Sequence, residues 1–272
     1  MRRRDDLLRY GTSVAAILIP FVAACVLNSC GPSKEAAVVP PAAKKAMTST
    51  VKILTLNARH TLKDRSDVRK LARIIKSHGV EILAVQQVER PEEGNDGFDA
   101  VKELGKELDM YNFFGKARYF EGVSSGNAVL SMYPVRQTIV QDLPVAKGKV
   151  RRSIAFGSVD VGLRNVDVAS TELDDESSSE RVSEVEEIFS FAKPYAGELF
   201  VVCGDFNEPM SGKASARMGE HFTVANALEK STENTDQRLY VINDPKIRPL
   251  SIEKLRFGNS VEGLLVTIEV TQ

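Results

Sequence analysis

The fold of this 272-residue chain is decided by one stretch, Leu199-Phe200-Val201-Val202-Cys203-Gly204-Asp205-Phe206-Asn207. Its first five residues form an uninterrupted apolar run, which predicts a strand that is buried on both faces. The residues that follow place a carboxylate at Asp205 and an amide at Asn207, where that strand should end. Polar side chains at the carboxyl ends of buried strands are where α/β folds gather their functional sites. Taken alone, the same two residues could equally make only the local hydrogen bonds of a turn.

Two other apolar runs end in polar residues in the same way. Leu54-Thr55-Leu56-Asn57 delivers Asn57, and Leu83-Ala84-Val85-Gln86-Gln87-Val88 delivers Gln87. Packing alone does not explain polar groups that emerge repeatedly from the ends of buried strands. We therefore expect Asn57, Gln87 and Asp205 to meet at one edge of the folded domain.

From Val51 onwards, short apolar or β-branched runs alternate with amphipathic stretches. This alternation predicts an α/β or α+β class with helices covering the sheet faces. The predicted helices are Asp67–Lys76, Phe98–Leu108 and Ser179–Lys193. The predicted strands are Val51–Leu56, Val80–Val85, Asn127–Met132, Val135–Gln141, Ser153–Val161, Asn165–Ser170, Leu199–Cys203 and Val261–Val270. Because no long polar break interrupts this region, we expect a single domain over residues 49–272.

The N-terminus has the layout of a secretory signal. Arginines at positions 2, 3, 4 and 9 precede an uncharged stretch whose apolar centre runs from Val14 to Leu27. That order of charge and apolarity is typical of signal peptides. Leu27-Asn28-Ser29-Cys30 resembles a bacterial lipobox, in which the cysteine is acylated and becomes the new N-terminus. Val22-Ala23-Ala24-Cys25 also resembles one, but Cys30 is favoured because Cys25 would leave a shorter apolar region.

These features predict a lipoprotein-type signal peptide over residues 1–30 and a flexible linker over residues 31–48, rich in Ala, Lys and Pro. An uncleaved membrane anchor is the alternative, since about 20 apolar residues can span a bilayer. Both interpretations attach the same domain to a membrane. We expect the protein in the cell envelope, with the membrane as a partner through the lipidated N-terminus and the domain facing the periplasm or the cell surface.

Composition narrows the classes of function. The 36 Lys and Arg residues nearly balance the 37 Asp and Glu residues, for a formal net charge of −1. This balance gives no general attraction to nucleic acid. Three cysteines and three histidines are too few for a disulfide scaffold or a Cys/His metal cage.

The region from Val51 to Val270 resembles the endonuclease/exonuclease/phosphatase family. The segments that carry the resemblance occur in the family's order: Leu54–Asn57, Val80–Val88, Gly126–Val135, Ala169–Asp174 with Arg181 downstream, Gly204–Asn207 and Thr235–Asp236. The resemblance implies a four-layer sandwich in which two packed mixed β-sheets are flanked by helices. It also implies a hydrolase of phosphodiesters or phosphomonoesters that uses Mg²⁺.

The same resemblance implies roles for individual residues. Asn57 and Asn127 would line the phosphate site. Asp205 would position or deprotonate the attacking water, Asn207 would hold the developing oxyanion, and Asp236 corresponds to the residue that orients a catalytic histidine. These roles match what a phosphoryl transition state needs, namely a cation, hydrogen-bond donors aimed at its oxygens, and a base near water.

The chain departs from the family pattern at the positions that matter most for catalysis. The metal-binding Glu of the family is Gln87 here, and a neutral amide binds Mg²⁺ less well than a carboxylate. A phosphate-facing His is replaced by Glu172. The C-terminal Ser-Asp-His motif appears as Ser260-Val261-Glu262, so that a metal carboxylate becomes Val261 and the catalytic His becomes Glu262.

These replacements remove donors and add negative charge where a phosphate must dock. The sequence therefore favours a domain with weak or lost activity and a binding or scaffolding role, for which a phosphate ester is a possible ligand. The alternative is an active phosphoesterase in which Glu172, Asp205, Asp236 and Glu262 form a rearranged metal site.

Overall fold

The computed structural model describes residues 47–59, 61–92, 97–195, 198–232, 235–257 and 261–272. The predicted signal peptide, Cys30, nearly all of the predicted linker, and Ser260 lie outside these residues. Across the part of the chain that is described, no helix is long and apolar enough to cross a membrane.

Strands dominate the fold. In chain order the strands are β1 Thr48–Asn57, β2 Ile82–Pro91, β3 Tyr111–Phe120, β4 Val123–Ser131, β5 Val135–Asp142, β6 Ser153–Asp160, β7 Asn165–Glu172, β8 Leu199–Asp205, β9 Phe222–Val224, β10 Gln237–Ile242, β11 Ile247–Phe257 and β12 Val261–Thr271. The helices are α1 Arg65–Ser77, α2 Ala100–Leu108, α3 Ser178–Ala192 and α4 Lys213–Met218. Short 3₁₀ turns lie at Lys193–Tyr195, Ala225–Leu228 and Lys230–Thr232.

Over the described residues, the strands form two mixed six-stranded sheets. Their orders are β11-β12-β1-β2-β4-β3 in the first sheet and β5-β6-β7-β8-β10-β9 in the second. Each sheet has a parallel pair at its centre, β1 with β2 and β7 with β8, and the other neighbours are antiparallel. The carboxyl ends of the central strands therefore share one edge of each sheet.

Three layers of buried apolar side chains separate four layers of secondary structure. Leu54 and Leu56 of β1 pack with residues of α1 and α2, whereas Val51 and Ile53, on the opposite face of the same strand, pack against the second sheet. Side chains of α3 and α4 cover the outer face of the second sheet. The four-layer sandwich that the family resemblance implies is confirmed.

The helix ends follow from local capping. The Asp64 side chain accepts hydrogen bonds from the backbone N–H groups of Ser66 at 2.7 Å and Asp67 at 3.0 Å, which satisfies free donors at the start of α1. Ser177 Oγ accepts from the N–H of Glu180 at 3.3 Å at the start of α3. These caps explain why α1 and α3 begin close to the predicted positions.

The structure contains each predicted helix and strand, but it adds elements that the sequence pattern did not indicate: β3, β9, β10, β11 and α4. It also corrects the prediction that β2 ends before Gln87. The strand continues to Pro91, because Gln86 and Gln87 form a bulge after which pairing with β4 resumes at Val88. At the N-terminus, β1 begins at Thr48, so the predicted end of the linker falls within the strand.

Candidate active-site cleft

A polar cleft of about 470 Å³ opens at the edge where the central strands of both sheets end. Most residues that the sequence singled out line it: Asn57, Gln87, Glu172, Asp205, Asn207, Asp236 and Glu262. Backbone pairing explains the convergence, since Asn57 lies opposite Gln86 in the first sheet and Glu172 lies opposite Asp205 in the second. Arg59, which is exposed, is the basic residue at the rim of this cleft.

Asp205 lines the cleft and is buried. One of its carboxylate oxygens accepts a hydrogen bond from Asn57 Nδ2 at 2.8 Å, and the other accepts from the backbone N–H of Asn207 at 3.1 Å. Burial raises the pKa of Asp205, although these two hydrogen bonds oppose the rise, and the nearby carboxylate of Asp236 adds to it. The carboxylate is thus held by fixed donors between the two sheets.

Asn207 has a structural as well as a polar role. Its backbone adopts the left-handed conformation with φ of 49°, which asparagine tolerates better than most residues. Its side-chain amide donates to the carbonyl oxygen of Leu173 at 2.8 Å, and the N–H of Leu173 donates to the carbonyl oxygen of Asp205 at 2.9 Å. These bonds tie the segment after β8 to the end of β7.

Gln87 occupies the bulge in β2 with a left-handed φ of 53°. Its Nε2 donates a hydrogen bond to Glu172 Oε1. Its Oε1 is buried and has no hydrogen-bond partner among the described residues. The side chain therefore presents a donor to the neighbouring carboxylate, whereas a metal ligand would have to present its oxygen to a cation.

Arg152 is not among the residues that line the cleft, but it contacts one of them, and the sequence pattern did not indicate it. Its guanidinium Nη1 contacts Glu172 Oε1, with only 4% and 7% of the two side chains exposed. Its Nη2 lies 3.0 Å from Asp175 Oδ1. Burial raises the pKa of Glu172 more than Arg152 lowers it, whereas the adjacent carboxylates keep the pKa of Arg152 above its ordinary value despite burial. In the sequence, Arg152 directly follows Arg151, and two adjacent arginines are typical of an exposed surface segment.

The other predicted site residues have different surroundings. Asn127 is buried, donates from Nδ2 to the carbonyl oxygen of Ser153 at 2.7 Å, and lies beside the cleft rather than among its lining residues. Glu262 reaches the cleft but pairs with two cations of β11, Lys254 at 3.1 Å and Arg256 at 3.3 Å. These two ion pairs balance the negative charge that Glu262 brings to the position of the family's catalytic His.

The side chains of the cleft do not fit a divalent cation. Mg²⁺ needs oxygen ligands, preferably charged ones, in a near-octahedral arrangement. Here Gln87 turns an N–H toward Glu172, and the Glu172 oxygen that accepts it is also in contact with Arg152. In the residues open to description, no group of three or more His, Cys, Asp or Glu side chains is arranged to hold a metal ion.

Comparison with known proteins identifies the family. The chain matches the sequence profile of the Endonuclease/Exonuclease/phosphatase family over residues 54–245, and it therefore belongs to that family. The domain is phosphoesterase-like, in a family whose members generally use a divalent metal ion. No curated protein matches the chain by sequence.

Solved structures of low sequence identity share the fold. The endonuclease/exonuclease/phosphatase from Beutenbergia cavernae has a TM-score of 0.68 at 19% identity, covering 81% of this chain and 72% of that one. The one from Bacteroides vulgatus has a TM-score of 0.64 at 16% identity, covering 82% and 99%. The human Nocturnin catalytic domain, solved with a bound sulfate anion, has a TM-score of 0.64 at 13% identity, covering 84% and 98%.

Proposed function

We propose that this chain is a lipid-anchored cell-envelope protein whose endonuclease/exonuclease/phosphatase domain has weak or lost Mg²⁺-dependent hydrolysis and serves as a binding or scaffolding module. The arginine-flanked apolar N-terminus, with Cys30 at its end, supports the anchoring. The assignment to the envelope follows from that anchor.

The observation that carries the proposed loss of hydrolysis is the contact between Gln87 and Glu172. The family resemblance places a metal carboxylate at position 87 and a phosphate-facing histidine at position 172. Here an amide donates to a carboxylate at those two positions, and that carboxylate already pairs with a buried arginine. Loss of one acid–base group costs about 10²–10⁴ in rate, and loss of metal charge at a phosphoryl group adds to it.

The charge of the cleft limits which ligands can bind. Four acidic side chains line it, Glu172, Asp205, Asp236 and Glu262, and Arg59 is the single basic residue among the described lining residues. Two of the four already have cationic partners, since Glu172 pairs with Arg152 and Glu262 pairs with Lys254 and Arg256. A phosphate ester would be held by Arg59 and by amide donors, without help from a metal ion. Phosphate esters, the substrates that the family resemblance implies, are therefore the first ligands to test.

The test is turnover by the purified full chain on duplex DNA, sphingomyelin and a chromogenic diester, with Mg²⁺ and with EDTA. We expect no Mg²⁺-dependent turnover in the natural sequence. Gln87→Glu alone should strengthen cation binding without restoring turnover, and adding Glu172→His, Val261→Asp and Glu262→His should recover some activity. Asp205→Ala is the control for any turnover that is seen.

A second candidate function, an active phosphoesterase, is favoured by one observation. Asn57, Asp205 and Asn207 form an ordered hydrogen-bonded set in which burial raises the pKa of Asp205, and a raised pKa suits a general base. If the natural protein turns over a diester at about 1–10³ s⁻¹ and loses this activity on Asp205→Ala, the second candidate replaces the first.

A further inference from the structure

A buried arginine contacts the carboxylate to which Gln87, at the family's metal-binding position, donates a hydrogen bond. The Arg152 guanidinium is 4% exposed and contacts a carboxylate that is 7% exposed. An isolated charge of either sign would be costly at this depth, and each is tolerable because the other is present. Gln87 adds an N–H to the same carboxylate. The chain therefore supplies both a cation, Arg152, and the carboxylate that pairs with it, Glu172.

We propose that Arg152 is a built-in cation that takes the electrostatic place of a divalent metal ion, so that the domain keeps its cleft in a permanently metal-free state. This inference rests on the proposed function in one respect, namely that the natural site does not use a divalent metal. It goes further by naming the group that compensates the charge of Glu172 and repels a divalent metal ion.

Arg152 has a second ionic contact and extends from a hydrogen-bonded backbone, although its Nε and Nη1 make no hydrogen bond within the described residues. Its Nη2 also contacts Asp175 at 3.0 Å, so the guanidinium lies between two carboxylates. The next residue, Ser153, accepts hydrogen bonds at its carbonyl oxygen from Asn127 Nδ2 at 2.7 Å and Thr171 Oγ1 at 3.2 Å. The side chains of β4 and β7 thus hold the backbone from which Arg152 extends. Asn127, a phosphate-site candidate from the sequence, is part of this support.

A fixed guanidinium and a divalent cation compete for the same carboxylate. Oε1 of Glu172 already has two partners, and a second cation beside it would be repelled by the permanent charge of Arg152. Removal of the arginine should therefore open the position to a metal ion, provided that position 87 also supplies a carboxylate. The two changes together would exchange an internal cation for an external one.

The experiment replaces Arg152 and supplies a carboxylate at position 87, in the full chain purified in detergent. Mg²⁺ binding is measured by titration calorimetry and by the Mg²⁺-induced rise in Tm for the natural protein, Gln87→Glu, and Gln87→Glu with Arg152→Gln. We expect the double variant to bind Mg²⁺ at least about tenfold more tightly than Gln87→Glu alone. The matched control is Gln87→Glu with Arg151→Gln, because Arg151 is exposed and pairs with Asp142 instead. This control should bind Mg²⁺ like Gln87→Glu.

Equal Mg²⁺ affinity in the double variant and its control would overturn the inference. That failure differs from failure of the proposed function, which would show as Mg²⁺-dependent turnover by the natural protein that Asp205→Ala abolishes. If Arg152→Gln prevents folding, Arg152→Gln with Glu172→Gln supplies the decisive variant. Recovery of folding supports a charge role for Arg152, since its partner is then neutral, whereas continued misfolding shows a packing role and refutes the inference.

Discussion

Glu184, on α3, is a buried acid whose ionisation should make the stability of the domain depend on pH. It is 2% exposed, and burial raises its pKa from the ordinary 4.5 to about 8. The carboxylates of Asp174 and Glu180 add to the rise, whereas Arg152 and the N–H of Asp174, which donates to Glu184 Oε2 at 2.7 Å, oppose it. At neutral pH the folded protein therefore holds a proton that the unfolded chain releases.

The sign and size of the effect follow from this difference in pKa. A group whose pKa is raised by folding contributes its full stability below the unfolded pKa and loses it as pH rises to the folded pKa. Between pH 4.5 and pH 7, at 1.36 kcal/mol per pKa unit, the free energy of unfolding should fall by about 3 kcal/mol. Above about pH 8 this contribution stays constant.

Glu184→Gln removes the titration and keeps an oxygen that can accept from the Asp174 N–H. We expect the variant to be as stable as the natural protein near pH 4.5 and more stable by about 3 kcal/mol at pH 7. Urea unfolding at pH 4.5, 6, 7 and 9 measures the difference, and Glu253→Gln, at an exposed position on β11, is the matched control. A difference between Glu184→Gln and the natural protein that does not change with pH would refute the reasoning.

Three further predictions test other parts of the structure. Gly204→Ala should lower the free energy of unfolding by about 3 kcal/mol or more, because its Cβ would lie 1.9 Å from the carbonyl oxygen of Thr171; denaturant unfolding measures this, and an unchanged midpoint would contradict it. Asn57→Ala should cost about 1–3 kcal/mol, because the buried Asp205 carboxylate loses a donor, and a loss no larger than that of an exposed Asn→Ala change would refute the role. Cys30→Ser should abolish incorporation of a labelled fatty acid in cells, and retained label would show that another residue is acylated.

The fold was predictable where strands are buried on both faces. The runs that became β1, β2 and β8 are nearly all apolar, and such runs identify central strands of a sandwich. β3 and β11 were missed because they are edge strands of the first sheet with many exposed residues, and because Gly115 and Pro249 within them are typical of loops.

The site was predictable only in part. Residues that follow apolar runs, such as Asn57 and Asp205, could be assigned to one cleft because strand ends share an edge. The Gln87 bulge could not, since the sequence pattern gives no sign that pairing resumes beyond it. The contact of Arg152 with Glu172 depends on tertiary structure, because the pairing of β6 with β7 brings the two residues together. A local pattern does not distinguish that arginine from the exposed Arg151 before it.

The residues that match the family pattern have a structural role in the fold, whereas those that depart from it depend on one another. Asn57, Asp205 and Asn207 join the end of β1 to β8 and β7 through side-chain hydrogen bonds, so the fold gives a reason for their presence that does not depend on catalysis. Gln87 and Glu172 do not link strands of the fold in this way. The buried carboxylate of Glu172 depends on Gln87 and Arg152 as its partners, and removal of either partner would leave it poorly satisfied. Gln87, Glu172 and Arg152 therefore form one interdependent set. Restoring the family residue at one of these positions alone should disturb the set without restoring catalysis. For this reason, a test of Gln87→Glu must be compared with a variant that also removes the arginine.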